Sequence, residues 1–184
     1  MDILRVMFDT NILVKFTFIY YKEEKNVQVP RSLKKFIFLL NRFEQSMFRN
    51  VMSKWNIFEL RDVLMKLKLE EIYLMNGYTV REFGDAKSEI ALDQDDMEGV
   101  NLIIDGFIIN SEFINITKDM NLDKVDRWTK KGFSVMDIIL LHQAELNNCD
   151  YFITHDKRLY LNEDLKKNFN VKICSIKEFK EIIK

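Results

Sequence analysis

The chain has 184 residues, 47% hydrophobic and 31% charged, with a formal net charge of −1. That fits one soluble globular domain with a real core and excludes a global polyanion-binding signature. No apolar run approaches the ~20 residues a membrane span needs, and MDILRVMF is too short and too acidic at its start for a secretory signal, so a cytoplasmic protein with no membrane contact is expected.

Ile3 to Phe8 is a near-continuous apolar run, as expected of a central parallel strand covered on both faces. It ends in Asp9-Thr10-Asn11, and a second apolar run, Ile12 to Tyr21, begins at once as a helix. An Asp in that place is either a helix cap or a site residue. Glu23 to Pro30, with the only proline, reads as a loop. Ser32 to Phe43 has helical apolar spacing, with Ser32 as its cap. Phe48 to Met52 is a strand candidate, after which Ser53 caps a longer helix, Lys54 to Met75, with a stripe at Ile57, Leu60, Leu64 and Leu67. Glu59, in the second turn beside that stripe, is either a surface partner of the helix dipole or a ligand pointing into a cleft. Glu70 and Glu71 lie about three turns further on.

Gly77 to Gly84 reads as a loop and Ala86 to Phe113 as one or two helices carrying the acids Asp93, Asp95, Asp96 and Glu98 on a solvated face. Leu122 to Lys131 is a short charged helix. Ser134 then caps an apolar helix that sets Asp137 in its first turn and ends at Asn147-Asn148. Tyr151 to Thr154 is a buried strand whose exit carries Thr154 and Asp156, while Asp150 enters from its other end. Phe169 to Cys174 is a final strand, and Ser175 with Glu178 forms a capping box for the closing helix, Ile176 to Lys184. Cys149 and Cys174, outside any CxxC or Cys/His cluster, read as reduced core residues.

Strands separated by helices imply a parallel α/β sheet, whose sites form outside the strand C-termini. Asp9, Glu59, Asp137 and Asp156 can all reach that edge. Four acids converging with no basic residue fixed by the pattern would repel one another, and a divalent cation resolves this. Carboxylate oxygens suit Mg²⁺ or Mn²⁺ rather than zinc. His155 reads as a surface or structural residue and His142 as a satisfied core histidine. Charge is segregated along the chain: Lys15 to Lys68 holds 12 Lys/Arg against 5 Asp/Glu, and Glu82 to Asp105 holds 1 basic residue against 8 acidic ones. A basic half suits a nucleic-acid backbone, although any single lysine is equally well a solvated face. Lys54, Arg61, Lys157 and Arg158 lie near the expected edge and would contact phosphates.

The residues FDTNIL, Glu59 in a helix after the second strand, SVMD opening a helix, and FITHDKRL after the next strand resemble, in that order, the four-acid pattern of the PIN-domain family of metal-dependent nucleases. The resemblance runs across nearly the whole chain. It implies a three-layer α/β/α sandwich with a central parallel sheet and metal-dependent cleavage of phosphodiesters, usually RNA. It assigns Asp9, Glu59, Asp137 and Asp156 as metal-site carboxylates and Asn11 and Thr154 as supporting polar groups. It also implies an RNA substrate, with an antitoxin or other protein partner and a homodimer as further partners. Residues 1–184 read as a single domain in which 77–131 is extra helical material. That length tilts the reading away from the compact toxins of the family.

A haloacid-dehalogenase-type phosphatase would need a second Asp two residues after the first, where this chain has Asn11, and no GxxxxGK[ST] loop is present. The rival of another class is a PIN-like scaffold that keeps its acids but only binds a partner.

Overall fold

Successive strand residues face opposite sides of a sheet, and here both sides are apolar. Val6 and Phe8 join one buried cluster with Met52, Ile153 and Cys174, while Met7 joins the other with Val51, Phe152 and Ile173. The structure, a computed structural model, describes residues 3–79, 81–82, 91–114 and 120–183. Among these, β1 (Arg5–Phe8), β2 (Arg49–Ser53), β3 (Glu112–Ile114), β4 (Tyr151–Thr154) and β5 (Lys172–Ser175) form one all-parallel sheet in the order β3-β2-β1-β4-β5.

Helices cover both faces. On the first pack α1 (Thr10–Glu24), α2 (Lys34–Glu44), α3 (Lys54–Met75), α4 (Gln94–Ile109) and α9 (Ile176–Ile182). On the second pack α5 (Leu122–Thr129), α6 (Val135–Leu146), α7 (Lys157–Tyr160) and α8 (Glu163–Asn168). This is the three-layer α/β/α sandwich with a central parallel sheet. From β1 the chain builds outward through β2 to β3, then returns to β4 and β5 on the other side, so the order reverses between β1 and β4. That is where a site in such a sheet forms. Phe8 fixes the end of β1 there, with ring centroids 5.6 Å from Phe16 and 5.6 Å from Phe48. Such edge-on pairs add about 0.5–1.5 kcal/mol each beyond burial.

The longest helix follows its sequence signals closely. Ser53 and Asn56 cap α3 reciprocally, and the helix runs to Met75 before Gly77 turns at φ +86°. Ser175 and Glu178 form the expected capping box. His142 is buried, accepts the Asn121 N–H at Nε2 and meets Glu145 at Nδ1, as a satisfied core histidine does. Both cysteines are buried and free. Among the described residues no helix is long and apolar enough to cross a membrane.

Several expectations need correction. Residues 77–131 are not helical throughout: Glu112–Ile114 pairs with β2 and completes the sheet as β3, where a helix was expected through Phe113. Of the expected helix and the loop before it, residues 80 and 83–90 lie outside the described residues. Helix α1 begins at Thr10 and runs to Glu24, into the expected loop. Ser32 lies inside a 3₁₀ turn, Arg31–Leu33, set off by Pro30, and does not cap α2. The last strand is Lys172–Ser175, because α8 occupies the chain up to Asn168 and only from Lys172 does the backbone pair with β4.

Candidate functional site

Asp9 is the first residue beyond β1 and still belongs to the sheet, since its N–H donates to Ile153 O at 2.9 Å. Its side chain is almost fully buried, at 1% exposure. Both oxygens are engaged. Oδ1 accepts the Asn11 N–H at 3.2 Å and Oδ2 accepts the Thr154 hydroxyl at 2.6 Å. Thr154 Oγ1 in turn accepts the Asp156 N–H at 3.0 Å, so the hydroxyl proton is committed to Asp9. Asn11 and Thr154 therefore support Asp9.

Glu59 reaches the same place from α3. Asn56 Nδ2 donates to Phe8 O at 3.2 Å, tying the start of α3 to the end of β1. Glu59, nearly one turn further on, accepts the hydroxyl proton of buried Thr10. Asp137 occupies the first turn of α6 and is half-buried. Ser134 stands at the N-cap position, but its side chain makes no capping bond. Asp156 caps α7 by accepting the Arg158 N–H at 2.8 Å, and the Arg158 guanidinium grips its carboxylate at 2.6 and 3.0 Å.

The charges act on one another. Burial pushes the Asp9 carboxyl up, against its Thr154 and Asn11 bonds, and the Asp156 charge adds to the rise. Burial raises Glu59 as well, its Thr10 bond opposing, with Asp9 and Asp62 adding to the rise. Asp137 is pushed up to about 7 by burial and then by the charges of Asp9, Glu59 and Asp156. Asp156 alone is held below the usual range, chiefly by Arg158. The four acids thus share one electrostatic neighbourhood at the switch point. Among the described residues Asp9, Glu59 and Asp137 form no ion pair.

An all-oxygen, all-anionic donor set fits a hard divalent ion. Among the described residues no three His, Cys, Asp or Glu side chains already stand together as a coordination group. Thr154 holds Asp9, Thr10 holds Glu59, and Arg158 holds Asp156.

The residues expected to meet phosphates do not form one group. Arg61 turns to Asn101 of α4 at 3.0 Å, and Arg158 is occupied with Asp156. Lys54 is exposed at the start of α3. Lys157 is exposed and lies close enough to Lys35 for its charge to depress the Lys35 pKa, after burial. His155, exposed as expected, has both ring nitrogens 3.2 Å from Lys35 Nζ. Sequence reasoning missed Thr10, Asn56 and Lys35. Thr10 and Asn56 carry a weak signal, being polar residues within three positions of a strand end; Lys35 carries none.

By sequence the chain matches no protein-family model and no curated protein. By structure it is similar to a chain of VapBC2 from Rickettsia felis, solved bound to a DNA fragment from their promoter. The TM-score is 0.51 at 15% identity, and the match covers 94% of this chain and 98% of that one. The likeness is one of fold over nearly the full length of both chains.

Proposed function

We propose that this chain is a metal-dependent endoribonuclease, a hydrolase that cuts RNA phosphodiester bonds at Asp9, Glu59, Asp137 and Asp156 with Mg²⁺ or Mn²⁺. One observation carries the reading: Asp9, Glu59 and Asp137, from three separate elements, are raised by burial and by the charges of neighbouring acids at the switch point without an ion pair among the described residues, and Asp156 adds its charge to Asp9 and Asp137. Such arrangements mark functional sites, since they cost stability. The fold shared with the VapBC2 chain supports the reading.

In this reading Asp9 is the rigid anchor, both of its oxygens held by donors, Oδ1 by the Asn11 N–H and Oδ2 by the Thr154 hydroxyl. Glu59 and Asp137 face it from α3 and α6. Asp137, pushed up to about 7, is partly protonated at neutrality, and a divalent cation held there would displace that proton. Arg158 orients Asp156 and stands exposed where a phosphate would arrive. A bound divalent ion supplies polarisation of a phosphate oxygen and a lowered pKa for an attacking water.

A protein partner belongs to the same reading, because the similar chain was solved as VapBC2. This chain leaves a groove of about 950 Å³ between α1, α3 and α4, lined by Phe18, Tyr21, Leu67, Leu74 and Ile103. An antitoxin or a second copy would bury it. The same groove favours the second reading, a catalytically silent partner-binding scaffold.

Incubating labelled RNA with the protein and Mn²⁺, with EDTA as control, tests both. Metal-dependent cleavage is expected; intact RNA leaves the scaffold. Calorimetry with Mn²⁺, comparing the parent with a variant carrying Asp9→Asn and Asp137→Asn, locates the ion. Equal binding by both proteins would mean that the acids do not form one site.

A further inference from the structure

A second cluster, of the opposite sign, adjoins the acids. Where Asp156 turns to Arg158, its neighbour His155 turns to α2, lying edge-on to Phe36 at 5.6 Å with Lys35 Nζ 3.2 Å from its nitrogens. Lys35 Nζ also stands 5.1 Å from the Phe36 ring. Lys157, two residues beyond His155, acts on Lys35 through its charge, and Lys15 of α1 acts on His155 in the same way. The charges of Asp9 and Asp156 reach His155 too, so the two clusters adjoin.

Among the described residues none of these three lysines has a carboxylate within ion-pair distance. Lysines gathered without acids repel one another, and the arrangement makes sense where an anion sits among them. A free anion would be repelled by the neighbouring carboxylates. A strand of nucleic acid avoids this, because it offers regularly spaced phosphates, one for the acids and their cation and the next for the lysines.

We infer that Lys35, Lys157 and Lys15, with His155 and Phe36 holding Lys35 in place, seat the RNA phosphate next to the one at the four acids. The inference rests on the nuclease reading above. The seat grips the backbone, so it fixes the register of the strand and not its sequence. It also gives the basic half of the chain a place to act, since Lys15 and Lys35 both come from it.

The test is binding of a short fluorescent single-stranded RNA to the full chain in EDTA, where no turnover occurs, over a series of salt concentrations. Lys35→Gln with Lys157→Gln should weaken binding about tenfold and lower the salt slope by about 1.4, roughly 0.7 for each lysine removed from a single strand. Lys35→Arg with Lys157→Arg should restore both. A charge-matched control on α8 and at the start of β5, Lys166→Gln with Lys172→Gln, should leave both unchanged. All these side chains but Lys166 are exposed, and melting curves matching the parent verify the folds. Parent-like binding by the Lys35 and Lys157 pair would overturn the seat alone, and so would an equal loss in the control. If the pair weakens binding but the parent cleaves no RNA with Mn²⁺, the seat stands and the nuclease reading falls. A parent that binds no RNA overturns both.

Discussion

At the edge of the sheet where the strands begin, Arg5 Nη2 meets Glu112 Oε1 at 2.5 Å and Arg49 meets the other oxygen at 3.5 Å. The Arg5 backbone N–H donates to Asp150 at 2.8 Å, and its guanidinium caps the Asn147 carbonyl at the end of α6. At the edge where the strands end, Asp9, Glu59 and Asp137 act on one another through their charges, and among the described residues none of the three forms an ion pair. The same five strands carry both edges. One is electrically settled and ties β1, β3, β4 and α6 together; the other holds like charges that cost stability. Charges stacked without partners are tolerated where they serve something other than the fold.

The largest effects should come from the unsettled edge. Asp9→Asn removes the anchor carboxylate and should abolish RNA cleavage. It also removes a desolvated charge, so the melting temperature without metal should not fall. An active Asp9→Asn protein would break the comparison, because the acids would then have no common purpose. Next comes Thr154→Val, which frees Asp9 Oδ2 and leaves the Asp156 N–H without its acceptor. Mn²⁺ affinity or cleavage rate should drop by about 10–100-fold, as for other side chains that orient metal ligands.

How much of this was legible depended on the range of each interaction. Strands covered on both faces announce themselves as apolar runs, and Asp9 and Asp156 stand out because each follows one. Strand β3 does not: it is three residues long and at the sheet's edge, with Phe113 41% exposed, so neither length nor alternation marks it. The bond from Thr10 to Glu59 spans 49 positions and the contact of Lys35 with His155 spans 120. Nothing local encodes such pairings; they follow from topology. Arg158 illustrates the converse. It was expected to meet phosphate, but it lies two residues from Asp156 at the start of a helical turn, and the nearer anion wins.

The settled edge should respond in the opposite manner. Arg5→Ala leaves the Asn147 carbonyl without its guanidinium donor and Glu112 with Arg49 alone, and should cost about 2 kcal/mol in denaturant unfolding, with cleavage per folded molecule unchanged. Loss of activity without loss of stability would mean that the two edges are not separate in function.

A smaller effect separates the edges by pH. The Asp137 pKa is raised from 3.8 to about 7, so between those values the folded protein binds more proton than the unfolded chain at this group. Its contribution is therefore most favourable below the unfolded value and is lost as pH rises towards 7. Asp137→Asn removes that loss. The variant's melting temperature relative to the parent, without divalent ions, should climb between pH 4 and 7 by at least about 2 °C and then level off. A constant difference would show that Asp137 does not feel the other acids.

The smallest effect tests the one acid at the unsettled edge that does have a partner. Arg158 holds the Asp156 carboxylate and keeps its pKa low, so it competes with any cation that needs the same oxygens. The pair is exposed on the arginine side and therefore weak. Arg158→Gln should release Asp156, still ionised at neutral pH, and tighten Mn²⁺ binding by about two- to fivefold. Cleavage at saturating Mn²⁺ should fall if the guanidinium also steadies the phosphate. If Mn²⁺ binding weakens instead, Asp156 depends on Arg158 to face the ion, and the pair is a positioning device, as Arg5 and Glu112 are at the other edge.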